Sequence, residues 1–372
     1  MTVKELREEA KRIGLKGYSK LKKAELEKII SEHQVVCDDL PYVEEEFKKF
    51  EFLESLPPNV EVIIYKDEDI WLENRKLGIG GSDIGAILGV NKYKSAIDVY
   101  TDKVIGSDFK GNKFTYWGHR LEKVVAEEFE TQHDDFIVMN LDRTLKCGKA
   151  LANIDRLLYS KEKGYGVLEC KTTSVYNTSE WEGETIPQSY FAQVMHYLAV
   201  TGLNYAYIAC LVGGQDYKEF YIERNEEQCE YILEHCEWWW KEYIETQTPP
   251  MPDGSDSYSN YLKAKADKIE NNEVIELDSI KDKADKFKAL KGQIESLETE
   301  KKQVEQEMML ELIKANTTKA KAGEIKVTIV TQNRTSVDKK AFENSYPELI
   351  EEYKKVENEF KINKENKFLK VS

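Results

Sequence analysis

One hexapeptide constrains this chain more than any other stretch: Gly166-Val167-Leu168-Glu169-Cys170-Lys171. An apolar run leads directly into a carboxylate and a lysine separated by one residue. In an extended strand, residues two apart project from the same face, so Glu169 and Lys171 stand side by side. Asp155 closes an earlier short apolar run (Leu151, Ala152, Ile154). If the two runs pair as neighbouring strands, both carboxylates and the ammonium meet at one sheet edge. Two hard oxygen ligands suit Mg²⁺, which takes few protein groups and retains waters. A lysine beside such a water favours its deprotonated form, and the set is machinery for hydrolysing phosphodiesters. Glu-x-Lys by itself is common on the exposed strands and helices of so charged a chain. The surrounding sequence has to decide.

A chain of 372 residues can bury a sizeable core and is expected to hold more than one domain. An apolar content of 41% with 11% aromatic residues fits a globular protein rather than a disordered one. The opening Met1-Thr2-Val3-Lys4-Glu5-Leu6-Arg7 lacks a signal-peptide core, and no segment has the apolar length to cross a bilayer. The cysteines form no Cys-x-x-Cys pair, which points neither to a zinc site nor to a disulfide framework, and a reducing cytoplasm is the expected compartment. A net charge of −15 argues against a broad basic surface for coating DNA, while leaving room for a local basic groove. An acidic exterior also discourages tight non-specific retention on a polyanion.

Residues 1–40 read as a helical module. Its first helix carries Val3, Leu6, Ala10 and Ile13 and stops at Gly14; its second starts near Lys22 and carries Leu26, Ile29 and Ile30. The turn between them holds Lys16, Lys20, Lys22 and Lys23, candidate DNA contacts if it is more than a solvated hairpin. Residues 41–64, acidic and then carrying Pro57-Pro58, read as a linker. From 65 to 250, helical and strand-like patterns alternate. Helices are expected over 67–77, 114–132 and 187–201, and strands over 136–139, 143–145, 150–154, 167–171, 206–212 and 219–222. A further helix holds Trp238, Trp239 and Trp240. This mixture predicts an α/β (α+β) domain, a mixed sheet with helices on its faces. Residues 278–315 read as one long charged helix whose heptad seam is interrupted by Lys301, serving either as a single helix or as an intermolecular coiled coil. The remaining tail reads as strand, two helices and strand.

Four further features converge on the same chemistry. Trp117-Gly118-His119-Arg120-Leu121-Glu122 puts Glu122 on an amphipathic helix, from which it could reach a metal opposite the strands. Gln193 and Tyr197, four apart, share a helix face. Gly80-Gly81-Ser82 before a helix offers backbone N–H groups and a hydroxyl to a phosphate. Arg75, on the helix leading into that turn, could pair with the same phosphate.

Together these stretches resemble the YqaJ-type viral recombinases, relatives of the lambda-type phage alkaline exonucleases in the PD-(D/E)xK, restriction-endonuclease-like superfamily. The resemblance rests on Gly80-Gly81-Ser82-Asp83-Ile84, Trp117 to Glu122, Asn153-Ile154-Asp155, Leu168-Glu169-Cys170-Lys171 and Gln193 to Gly202, and it covers residues 70 to 225 or so. The N-terminal module resembles SAP or helix-extension-helix DNA-binding modules through Gly14, Leu15, Gly17 and its lysines. The resemblance implies that Asp155 and Glu169 are metal ligands, joined by Glu122 and the backbone carbonyl of Cys170. It implies that Lys171 activates the attacking water, that Gln193 orients the site, and that Arg75 and Ser82, with Tyr197 nearby, anchor a 5′-terminal phosphate. The implied cofactor is Mg²⁺, as a pair of ions, with Mn²⁺ as an alternative. The implied assembly is a homo-oligomeric ring, a trimer or tetramer, threaded by linear double-stranded DNA. It would degrade 5′ to 3′ in a bacterial host cell and hand 3′ overhangs to a single-strand annealing protein. One departure stands out: Asn153-Ile154-Asp155-Arg156 replaces the Pro-Asp-Gly usual around the metal aspartate. Two alternatives compete with the exonuclease: an endonuclease on the same fold, nicking or junction-resolving, and a non-catalytic DNA-binding scaffold. An end-phosphate pocket has no use in internal cutting, and a scaffold has none for the retained acidic set.

Overall fold

The computed structural model describes residues 2–4, 6, 22–28, 40–65, 68–106, 111–271, 273–332 and 339–359. The chain divides into two units, Met1–Leu262 and Lys263–Ser372. In the first, α1 (Leu40–Ser55) and strand β1 (Val60–Ile63) occupy the stretch read as a linker. That reading fails because acidic composition conceals an apolar anchor: Phe52 of α1 is buried in the main core, and β1 pairs antiparallel with β4 (Thr144–Cys147). Next come α2 (Glu68–Asn74), a 3₁₀ turn at Arg75–Leu77, β2 (Ile79–Gly80), α3 (Gly81–Ile87), α4 (Ala96–Val104) and α5 (Lys113–Gln132). Asn112 caps α5 by accepting hydrogen bonds from the N–H groups of Phe114 and Thr115.

Two sheets organise the unit. A four-stranded sheet runs β1-β4-β5-β2, with β5 at Ala150–Ala152. A five-stranded sheet runs β3-β6-β7-β8-β9, over Phe136–Met139, Arg156–Ser160, Gly164–Thr173, Tyr205–Val212 and Asp216–Glu223. β7 is central. It pairs antiparallel with β6 and parallel with β8. A parallel neighbour needs a crossover, which α6 (Gln188–Thr201) supplies. Gly202, at φ 74°, ends that helix in the left-handed conformation open to glycine.

The expected pairing of 150–154 with 167–171 is corrected here. The run at Ala150–Ala152 belongs to the other sheet, and β7 instead takes β6, a strand absent from the sequence reading. Asp155 immediately precedes β6. Because Arg156 lies opposite Leu168, Asp155 comes opposite Glu169. The alternation of β7 sorts its side chains. Leu168 and Cys170 pack with Val125, Ala126 and Phe129 of α5, whereas Val167 packs with the core of α6 on the other face. Glu169 and Lys171 share that second face.

After β9 come α7 (Glu226–Trp239), extended by a π-helical turn at Trp240–Glu245, and α8 (Asp256–Ala266). In the N-terminal stretch Leu6 and Leu26 are buried and residues 23–28 are helical. Lys16 and Lys20 lie outside the described residues.

The second unit holds α9 (Lys281–Lys314), the hairpin β10 (Lys319–Ala322) and β11 (Ile325–Thr328), then α10 (Lys339–Ser345) and α11 (Ile350–Glu359). The closing strand expected from sequence lies outside the described residues. Among those residues no helix is long and apolar enough to cross a membrane.

Candidate active site

β6 begins only at Arg156, opposite Leu168, while β7 continues to Thr173, so the two strands part where the carboxylates stand. Asp155 Oδ2 accepts the backbone N–H of Cys170 at 2.8 Å, which locks the aspartate against the far half of β7. A strand residue turns its N–H and C=O to the same neighbour, so the Cys170 carbonyl faces this edge too. Glu169 is 1% exposed. Its Oε1 accepts from the Lys171 ammonium and, at 2.6 Å, from Gln193 Nε2. Its Oε2 is buried with no hydrogen-bond partner among the described residues.

α6 frames this face. Gln193 also donates to the hydroxyl of Tyr197 at 2.9 Å, and the Lys171 ammonium lies 4.8 Å from the ring centre of Tyr190. Tyr190, Gln193 and Tyr197 recur at helical spacing, so the i, i+3, i+7 pattern could have disclosed Tyr190 from sequence.

The protonation states follow from burial and from crowding of like charge. Burial first, then the Glu169 carboxylate, raises the Asp155 carboxyl well above its ordinary range, with Lys171 opposing. Burial likewise raises Glu169, against Lys171. Burial would lower Lys171, but Glu169 and Asp155 outweigh it and hold the ammonium above its ordinary value. Lys171 is therefore a fixed cation rather than a proton acceptor.

Glu122 stands on α5 beside the acidic pair and is engaged by an arginine. It projects from α5 toward the split, close enough to raise both Asp155 and Glu169, yet its Oε1 takes Arg156 Nη1 at 2.6 Å. Arg156 also donates to the Asp155 carbonyl at 2.5 Å. Among the described residues, no three Asp, Glu, His or Cys side chains are gathered to hold one ion. Asp155 and Glu169 form the acidic pair, and Glu122 joins them only if Arg156 releases it. Arg156 was missed because a cross-layer ion pair leaves no spacing signature.

A second cluster lies beside the first. Arg75 Nη2 donates to Ser82 Oγ at 3.0 Å, and its guanidinium lies 5.0 Å from the Trp71 ring centre. Trp71 Nε1 in turn donates to Asn153 Oδ1 at 3.1 Å, tying this cluster to the turn that carries Asp155. The two clusters also share Tyr197. A Cβ added to Gly81 would fall 2.4 Å from the Tyr197 ring, so glycine is required for the turn to rest on the tyrosine that Gln193 holds. Beneath the turn, Asp83 is 1% exposed and paired with Lys94 and Lys103, each at 2.9 Å. It also accepts the Gly80 N–H at 3.2 Å, while Lys103 donates to the Arg75 carbonyl at 2.6 Å. Burial would raise Asp83, but Lys103, Lys94 and Arg75 hold it well below the usual carboxylate range. His196, buried against the Leu151 carbonyl at 3.0 Å, is lowered to about 4 by burial and is a neutral packing residue.

Lys22 and Lys23, the described members of the N-terminal lysine set, are exposed, and Lys23 lies 3.6 Å from Glu27. They stand outside this constellation.

A family profile described as the YqaJ-like viral recombinase domain matches residues 70–204. The uncharacterized protein YqaJ of Bacillus subtilis (strain 168) is 34% identical over 295 residues, spanning 77% of this chain and 91% of the relative. This chain belongs to the YqaJ-like family. Among solved structures, it is similar to the alkaline exonuclease LHK-Exo from Laribacter hongkongensis, at 16% identity and a TM-score of 0.39 over 54% of this chain and 98% of that one. It is also similar to a phage-related exonuclease from Haemophilus somnus, at 14% identity and a TM-score of 0.36 over 48% of this chain and 99% of that one.

The YqaJ-like span contains Arg75, Ser82, Glu122, Asp155, Glu169, Cys170, Lys171, Gln193 and Tyr197. The resemblance read from the motifs is thus borne out for the family, and so is the mixed-sheet α+β fold. The donor set fits a hard divalent cation. Glu169 Oε2 is a buried acceptor without a donor, two carboxylates are forced together, and a main-chain carbonyl faces the same edge. A cation there would reverse the forces that favour protonation.

Proposed function

We propose that this YqaJ-like chain is a metal-dependent deoxyribonuclease that digests linear double-stranded DNA from 5′ to 3′ and leaves 3′ overhangs for a single-strand annealing protein. The observation that carries the reading is the buried, unpartnered Glu169 Oε2 on a sheet edge shared with Asp155 and Lys171. Asp155, Glu169 and the Cys170 carbonyl hold Mg²⁺, with Mn²⁺ able to replace it and a second ion reached through Glu122. The metal supplies a water ready to lose its proton and neutralises charge on the phosphate. Lys171, fixed as a cation, stabilises the attacking hydroxide. Gln193 holds Glu169 from the α6 side and so keeps its other oxygen at the split.

Arg75 and Ser82 set the polarity. A planar fork of donors beside a hydroxyl and glycine N–H groups suits a doubly charged terminal phosphate. If each turnover is to present a new 5′-phosphate to that pocket, hydroxide must add at phosphorus and the P–O3′ bond must break. The released nucleotide then carries the 3′-hydroxyl, and the shortened strand keeps the phosphate. The working assembly is a homo-oligomeric ring around the duplex, and the N-terminal lysine turn adds an outlying DNA contact.

With Mg²⁺, the chain should degrade linear duplex and spare the closed circle, and a chelator should stop it. Cutting of the circle would favour an endonuclease on the same fold. Linear DNA with a 5′-phosphate should be digested about tenfold faster than DNA with a 5′-hydroxyl, since leaving charged donors unpaired costs ~1.4 kcal/mol or more. Arg75→Ala and Ser82→Ala should erase most of that difference. Equal rates on both ends in the unaltered protein would dissolve the pocket.

A further inference from the structure

α9 has an apolar seam that nothing in the site uses. Phe287, Leu290, Ile294, Leu297, Val304 and Met308 follow one another at alternating steps, broken only by Lys301, and all are 42–63% exposed. The residues beside the seam say what fits it. One flank carries Lys286, Gln293, Glu300 and Glu307, and the other carries Lys291, Glu298 and Glu305. Both flanks run from basic to acidic along the helix.

A parallel second copy would bring opposite flanks together, setting Lys286 against the other copy's Lys291 and Glu300 against its Glu305. Both contacts repel. Reversing the second helix brings each flank against its own counterpart read backwards. With Ile294 layered on Leu297 of the second copy, Phe287 meets Val304 and Leu290 meets the stem of Lys301. In that register Lys286 faces Glu307, Gln293 faces Glu300, Lys291 faces Glu298 and Glu305 faces Ala284, so no like charges meet. Flanking charges select partner and direction in this way, and a polar residue in the seam fixes register. The competing ion pairs within α9, Lys291–Glu295 at 3.9 Å and Lys301–Glu305 at 3.7 Å, are long and exposed and do not tie these lysines up.

We propose that α9 is a two-fold, antiparallel coiled-coil interface with a second copy of this chain. Such an isologous contact cannot by itself close a ring of three, so it is a contact additional to any cyclic one. The proposal stands independently of the nuclease reading.

The test uses the full chain. Lys286→Cys and Glu307→Cys chains are mixed and treated with a short bis-maleimide, with the unaltered chain giving the background of the native cysteines. The antiparallel register predicts a covalent dimer well above background in the mixture. No chain carries both introduced cysteines, so a link within one helix cannot produce it. A mixture of Lys291→Cys and Glu298→Cys chains should couple likewise. A mixture of Lys286→Cys and Lys291→Cys, neighbours only in the parallel arrangement, should stay at background. Coupling of the Lys286→Cys and Lys291→Cys mixture, or no coupling above background in either of the other two mixtures, overturns the proposal.

Discussion

β7 and α9 place the same residue types at similarly short spacing, and the two regions treat them in opposite ways. On β7, Glu169 and Lys171 form an ion pair whose carboxylate side chain is 1% exposed. On α9, Lys301 and Glu305 are 78% and 58% exposed and lie 3.7 Å apart. Water screens the second pair to near nothing, whereas the first is desolvated and must be completed by Gln193, Asp155 and the sheet. A Glu-x-Lys pattern therefore acquires chemical meaning from the apolar residues leading into it. Val167 and Leu168 drive β7 into the core, whereas among the described residues of a single chain nothing comparable covers the flanks of α9.

The largest expected effect tests whether the buried charges serve chemistry rather than stability. Asp155→Asn, Glu169→Gln and Lys171→Ala should each cut digestion by about 10³-fold or more, the scale on which loss of a transition-state stabiliser acts. Asp155→Asn carries a second signature. Its carboxyl is raised in the fold, so ionising it opposes folding at pH values above the ordinary carboxylate range, and the penalty fades as pH falls. With chelator at neutral pH, Asp155→Asn should melt at or above the temperature of the unaltered chain. Added Mg²⁺ should raise melting only in the unaltered chain. A clear loss of stability in chelator would make the acidic pair structural, and the contrast with α9 would lose its functional half.

The Asp83 cluster sharpens the same comparison from the stability side. Here the buried carboxylate is fully answered by Lys94 and Lys103, so removing it strands two ammonium groups. Asp83→Asn should cost about 3–5 kcal/mol. The sign is opposite to that of Asp155: a depressed carboxyl contributes stability above its unfolded pKa of about 3.9 and loses it as pH falls below that. Denaturant titrations of the two proteins should differ by a constant amount above the ordinary carboxylate range, and the gap should narrow progressively as pH falls below about 3.9. Because Asp83 also holds the Gly80 N–H, and Lys103 the Arg75 carbonyl, the variant should lose part of its preference for 5′-phosphate ends. Unchanged stability at neutral pH would mean that the lysines find other partners.

What the sequence disclosed and what it concealed divides along the range of the interaction. Glu169 beside Lys171, Gln193 below Tyr197, and Arg75 ahead of Ser82 are short-range patterns with a local period, and each pair does meet. β6 stayed hidden because Arg156-Leu157-Leu158-Tyr159-Ser160 shows no clean alternation, and so the preceding apolar run was mistaken for the partner of β7. The pairing of Glu122 with Arg156, and of Asp83 with two lysines from the following loop and α4, joins separate elements and leaves no periodic trace. α1 was concealed by its own acidic surface, Phe52 being the one deep anchor among its described side chains.

The smallest effect belongs to α9 and can break the comparison outright. Lys314 and Glu311 form the shortest ion pair on that helix at 2.7 Å, shorter than many buried contacts in the first unit. Distance alone would rank it among the strong pairs, but both side chains are more than half exposed, at 61% and 71%. Solvent screening and the entropy of holding two long side chains leave about 0.5 kcal/mol or less. Lys314 also sits in the last turn, where a cation complements the helix C-terminus by a similarly small amount. Lys314→Ala should therefore shift the denaturation midpoint by no more than the error of the measurement, in low salt and in high salt alike. A loss of 2 kcal/mol or more, a size reserved for buried networks and lost core packing, would show that this end of α9 is covered in solution. Exposure would then no longer separate the two regions.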